Sequence, residues 1–101
     1  MTDDLRVVQP SLEIDNELTR TVRWTLEPGT AIGHHRHPLP YIVIPVVGGT
    51  LTFSDAAGDR AVELAPGRPT FRPAGVEHDV SNRTDQTIEF VEVEIRQSRA
   101  D

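Results

Sequence analysis

The stretch Gly29-Thr30-Ala31-Ile32-Gly33-His34-His35-Arg36-His37-Pro38-Leu39-Pro40-Tyr41-Ile42-Val43-Ile44-Pro45-Val46-Val47-Gly48 carries three of the chain's four histidines and then a continuous apolar run. In extended backbone successive side chains alternate faces, so His35 and His37 share one face while His34 and Arg36 take the other. An H-x-H pair on a strand is a two-pronged clamp for one metal ion, and a third ligand must come from elsewhere. Neutral imidazole suits Fe, Zn, Ni, Mn or Cu, with little deprotonation to drive near neutral pH. The run Tyr41–Val47 reads as a strand covered on both faces. Pro45 has no N–H to offer a neighbouring strand, which predicts a bulge or an unpaired edge there.

Outward from this stretch the apolar residues alternate in short runs: Leu12/Ile14, Val22/Trp24/Leu26, Leu51/Phe53 and Val62/Leu64. Period two over a few residues marks strands buried on one face. Turn formers separate the runs at Asp15-Asn16, Pro28-Gly29, Gly48-Gly49, Ala57-Gly58-Asp59, Pro66-Gly67, Pro73-Ala74-Gly75 and Ser81-Asn82. This spacing predicts an all-β sandwich or barrel. The segment Ile88–Ile95 is less regular, because its apolar residues begin on even positions and finish on odd ones. Either a bulge near Phe90 flips the phase or one face carries Glu92 and Glu94 inward; the expectation is an outward acidic face.

The chain has 101 residues, room for one domain and one core. Its ten cations are all arginine, its sixteen acids leave a net charge of −6, and it has no cysteine. Without lysine there is no Schiff-base chemistry and no P-loop; without cysteine there is no thiol nucleophile, disulfide or thiolate metal site. The acidic balance argues against a nucleic-acid partner. No apolar stretch is long enough to span a membrane, the acidic start Met1-Thr2-Asp3-Asp4 is unlike a secretory signal, and the cysteine-free composition fits the cytoplasm.

The fourth histidine, His78, lies in a second patterned segment. Gly67 is followed by five residues, Pro73, one residue, Gly75, two residues, His78, three residues and Asn82. In the first segment Gly29 is followed by five residues, His35-Arg36-His37, three residues, Tyr41, six residues and Gly48. The two spacings resemble the paired motifs of the cupin family, G(x)5HxH(x)3-4E(x)6G and G(x)5PxG(x)2H(x)3N, with Tyr41 standing in place of the usual glutamate. The run from Gly33 to Pro45 is similar to that of bacterial small cupins linked to β-alanine degradation.

The resemblance implies a single-domain, jelly-roll-like, double-stranded antiparallel β-barrel. Its core would occupy about residues 12–96, with 1–10 as an added edge strand or arm and 97–101 as a frayed tail. It also implies one divalent metal ion held by His35, His37 and His78 inside one mouth, with Asn82 capping a turn, and a homodimer. Tyr41 has three open roles: fourth ligand, hydrogen-bonding neighbour of the ligands, or proton donor.

Other side chains are read from parity. Trp24 shares the inward face of Val22 and Leu26, as core or as a wall of the pocket. Phe71 and Arg72 are pocket-lining candidates, and Arg72 and Arg36 are both candidate bidentate partners for a substrate carboxylate, with Arg36 alternating outward from His35. Arg36, His34 and Glu77 read as rim or surface. The functional expectation is an enzyme acting on a small molecule that chelates through neighbouring oxygens. The chemistry would be of dioxygenase type with iron or copper, and of isomerase or lyase type with zinc, manganese or nickel. The other readings are a barrel that senses or stores a metabolite, and a structural dimer with the metal as a staple.

Overall fold

The computed structural model describes residues 5–96. The frayed tail expected at 97–101 and the first four residues of the expected arm lie outside them. Eleven strands follow in chain order: β1 (Arg6–Val7), β2 (Ser11–Asp15), β3 (Thr19–Leu26), β4 (Thr30–Ala31), β5 (His35–Arg36), β6 (Tyr41–Val47), β7 (Gly49–Asp55), β8 (Gly58–Leu64), β9 (Thr70–Arg72), β10 (Glu77–Asn82) and β11 (Ile88–Ile95). They form two sheets. One runs β1-β4-β10-β7-β8 with β5 also paired to β10, and the other runs β2-β3-β11-β6-β9. All pairings are antiparallel except β1 with β4, where Arg6 and Val7 align in parallel with Thr30 and Ala31.

The predicted turn chemistry builds the connections. Asn16 Oδ1 accepts the backbone N–H of Leu18 and Thr19 between β2 and β3, and Asp55 Oδ1 accepts that of Ala57 between β7 and β8. Gly48 joins β6 to β7 where the chain passes the end of β8. A Cβ at Gly48 would lie 2.6 Å from the carbonyl oxygen of Leu64, so the approach requires glycine.

The core sits between the sheets. Val22, Trp24 and Leu26 of β3 meet Tyr41 and Val43 of β6, Leu51 and Phe53 of β7, Leu64 of β8, Val80 of β10, and Ile88 and Phe90 of β11. Val22, Trp24, Leu26, Leu51, Phe53 and Leu64 are alternating inward positions that the sequence predicts, with Val62 only partly buried against them. Pro45 sits at an irregularity, as expected: Glu89 pairs with Val47 and Phe90 with Pro45, which leaves Val46 as the extra residue. No helix among the described residues is long and apolar enough to cross a membrane.

Three expectations need correction. Leu12 and Ile14 are not buried together, because a register shift sets Leu12 opposite Val22 and Ile14 opposite Thr21, and both stay about half exposed on an edge strand. The run Tyr41–Val47 is covered on its inner face alone: Tyr41, Val43 and Pro45 are buried, while Ile42 and Ile44 on the outer face are only partly covered. The acidic face of β11 does not point outward. The strand keeps its phase along β3 from Ile88 opposite Leu26 to Ile95 opposite Thr19, and the irregularity falls on the β6 side. Ile88, Phe90 and Glu92 therefore share the inner face, and Glu92 is only 8% exposed. A carboxyl tolerates that position because Trp24 Nε1–H donates to its Oε1 at 3.1 Å.

Candidate metal centre

Two strands place the histidines. His35 on β5 is the register partner of His78 on β10, so the two rings face each other across one antiparallel pair. His37 follows β5 and is fixed by its backbone: its N–H donates to the Val76 carbonyl and its own carbonyl accepts the N–H of Gly75, both at 2.8 Å. Gly33, at a φ of 96°, turns the chain into this clamp. Its carbonyl accepts from His35 Nδ1 at 2.7 Å, and its N–H donates to Asp79 Oδ1 at 3.1 Å. A carbonyl only accepts, so His35 carries its proton on Nδ1 and turns the lone pair of Nε2 inward.

The three Nε2 atoms converge. His35 Nε2 lies 2.9 Å from His37 Nε2, and His37 Nε2 lies 3.3 Å from His78 Nε2. Three donor nitrogens on one ion, with bonds of about 2.0–2.1 Å at angles of about 90–110°, stand about 2.8–3.4 Å apart, so the spacing fits a shared metal. His37 and His78 are buried. His78 Nδ1 is buried without a hydrogen-bond partner among the described residues. Burial, reinforced by the neighbouring histidines, pushes the pKa of both His37 and His78 down to about 4. Both rings are therefore neutral at pH 7, the form that binds metal.

Around this cluster the inner face of the β2-β3-β11-β6-β9 sheet supplies the polar wall. Tyr41 stacks on His37 at 3.9 Å between ring centroids and 18° between planes. Burial, with Glu92 nearby, pushes its phenol up to about 12, so it stays protonated at neutral pH. Burial also pushes Glu92 up to about 7, against the stabilising Trp24 hydrogen bond. Glu94 pairs with Arg20 at 3.3 Å. A cavity of about 300 Å³ is lined by Trp24, His35, His37, Glu92, Arg20 and Glu94, among others. A second, of about 20 Å³, lies toward Tyr41, Phe53, Arg72, His78 and Glu92.

The structure thus brings His35, His37, His78, Tyr41, Trp24 and Arg72 together. Phe71 does not join them. It is 62% exposed because it alternates with Arg72 on β9 and takes the outer face. His34 stays outside the cluster, exposed and 2.7 Å from Glu77. Asn82 braces a turn, donating from Nδ2 to the carbonyls of Leu26 and Gln86 and accepting from Thr84. Sequence reasoning missed Glu92 and Arg20 as cavity residues. The signal was parity, since Glu92 continues the even-numbered face of Ile88 and Phe90, and Arg20 that of Val22, Trp24 and Leu26.

Fold and site together define a class: a two-sheet β-barrel with a three-imidazole cluster at its mouth. The chain belongs to the cupin family, whose cupin-domain model matches residues 22–94. It is 40% identical over 87 residues to the Beta-alanine degradation protein BauB of Pseudomonas aeruginosa, covering 86% of this chain and 92% of that one. Among solved structures it is similar to a cupin domain from Bordetella pertussis, with 36% identity, a TM-score of 0.90, and coverage of 93% of this chain and 98% of that one. It is also similar to a predicted oxalate decarboxylase from Thermotoga maritima, at 26% identity and a TM-score of 0.60 over 78% of this chain and 67% of that one.

Because Glu92 holds its proton more tightly folded than unfolded, rising pH removes stability once the unfolded carboxyl has ionised and the folded one follows. The stability of the metal-free wild type relative to a Glu92→Gln variant should therefore fall from about pH 5 to about pH 8. Thermal melts of both proteins across that range measure it, and a difference that stays flat would contradict the buried carboxyl's role.

Proposed function

We propose that the chain is a metal-dependent enzyme acting on a small oxygen-chelating metabolite, with one divalent ion held by Nε2 of His35, His37 and His78. The observation that carries this reading is the convergence of those nitrogens at 2.9 and 3.3 Å. Three neutral ligands leave the ion's charge uncompensated and coordination positions open, which favours an anionic chelate. When bound, the ion supplies Lewis-acid polarisation of a substrate carbonyl, with dioxygenase-type chemistry if it is iron or copper and isomerase- or lyase-type chemistry if it is zinc, manganese or nickel.

The remaining work falls to the chain's own groups. Trp24 Nε1–H holds Glu92 Oε1, which leaves Oε2 to take or return a proton, with an affinity poised near neutral pH. Tyr41 keeps its O–H at neutral pH and serves as a hydrogen-bond or proton donor beside His37 rather than as a phenolate ligand. The cavity of about 300 Å³ is at the small end for ligand pockets, which supports a substrate of few carbons. The Pseudomonas relative is named for β-alanine degradation and the Thermotoga neighbour as a predicted oxalate decarboxylase. Both names concern small carboxylic acids, in keeping with that size.

The outer face of the β2-β3-β11-β6-β9 sheet supports action as a homodimer. Phe71, Ile42, Val93, Thr21 and Ile14 form one cross-strand row over it. The adjacent Arg23 is neutralised by Glu13 and Glu89 of the same chain, so little charge opposes a second copy. Light scattering should give twice the 11.2 kDa chain mass, and a single-chain mass would contradict pairing.

Elemental analysis after metal supplementation tests the centre itself. The wild type should hold about one ion per chain and His35→Ala or His78→Ala less than about a tenth of that. Tyr41→Phe should keep the wild-type content. Metal-free wild-type protein would overturn the proposal, and metal loss in Tyr41→Phe would make Tyr41 a ligand.

A further inference from the structure

Arg72 ends β9 on its inner face, directly opposite Tyr41 in the β6 register. Tyr41 is stacked on His37. On its other side the Arg72 guanidinium lies 5.9 Å from the centroid of the Phe53 ring, which itself packs 5.2 Å from the His78 ring. Arg72 is thus bracketed by the neighbours of two of the three histidines, its guanidinium within cation–π range of the Phe53 ring, which Arg60 also approaches at 5.7 Å.

Among the described residues Arg72 has no carboxylate partner. Arg6, Arg20, Arg60 and Arg96 each have one and Arg23 has two, while Arg36 and Arg68 also form no ion pair but lack Arg72's place opposite Tyr41 and beside Phe53. The acids around the mouth are already engaged: Glu94 by Arg20, Asp55 by Arg60, and Glu92 by Trp24 Nε1. A guanidinium fork set beside a binding site without an anion is matched by a carboxylate, which it can grip through two parallel N–H···O bonds.

Size agrees. The chamber bordered by Arg72, Tyr41, His78 and Glu92, and closed toward the core by apolar residues such as Leu51 and Val80, is about 20 Å³. That is room for one to two waters, the scale of a carboxylate group. The body of a ligand has the cavity of about 300 Å³ on the side of His35, His37 and Trp24.

The geometry points to Arg72 as the anchor for a substrate carboxylate, and so to a small oxo or hydroxy acid, with one oxygen pair for the histidine centre and one further carboxylate, as the substrate class. This deepens the metal-enzyme reading and rests on it for the chelating half alone. The carboxylate half belongs to Arg72.

Two probes differ in that one group: 2,4-dioxopentanoate and pentane-2,4-dione, the second having a methyl in place of the carboxylate. Each is titrated by calorimetry, without oxygen, into metal-loaded protein. The wild type should bind the carboxylate probe at least about tenfold more tightly. Arg72→Gln should lose that preference while keeping its metal content and melting temperature, and Arg72→Lys, which has the charge without the fork, should keep part of it. Equal binding of the two probes by the wild type, or an undiminished preference in Arg72→Gln, would overturn the assignment. A chain that takes no metal fails the proposed function on metal content alone. Titration of that metal-free chain with 2,4-dioxopentanoate then decides Arg72 separately: binding abolished in Arg72→Gln upholds it, and absent or unaffected binding overturns it.

Discussion

Three imidazole nitrogens are held 2.9 and 3.3 Å apart, with the lone pair of His35 turned toward the other two, an arrangement suited to a positive charge among them. A proton can bridge only one such pair, and His35 already spends its proton on the Gly33 carbonyl. The remaining architecture serves this constraint. The β5–β10 register sets His35 against His78, and backbone bonds to Val76 and Gly75 fix His37. Two neighbouring aromatic rings, Tyr41 on His37 and Phe53 beside His78, limit how the imidazoles can relax. The barrel supplies the rigidity that lets repelling donors stay together.

The second consequence is electrostatic sorting. The chain carries a net charge of −6, yet the acids near the histidines are each neutralised, hydrogen-bonded or paired with arginine. Glu92 is the exception in energy. Burial raises its proton affinity, and the Trp24 hydrogen bond offsets only part of that cost. Such a carboxyl costs stability, and under the proposed function it is the group that takes or returns a proton. It borders both cavities and so links the histidine side of the barrel to the Arg72 side.

Much of this was legible in the sequence because strand parity is strict. His35 and His37 had to share a face, and Val22, Trp24 and Leu26 had to point inward. Two kinds of feature escaped. At edges and bulges parity fails: β2 slips by one residue, so Leu12 and Ile14 part company, and the extra residue near Phe90 belongs to β6 rather than β11. Polar residues on inward positions were also misjudged, because charge outweighed parity in reading Glu92. Phe71 shows the same lesson in reverse, an apolar side chain that alternation sends outward while Arg72 turns in. What sequence could not supply was the set of partners, such as Trp24 for Glu92, that makes an inward charge tolerable.

The central claim is that one ion sits among three specified nitrogens. Anomalous diffraction at a metal absorption edge, from crystals grown with the supplemented metal, tests it most directly. The account predicts a single strong peak about 2.1 Å from Nε2 of each of His35, His37 and His78. No peak there, or a peak bound instead at the exposed His34–Glu77 pair, would contradict it.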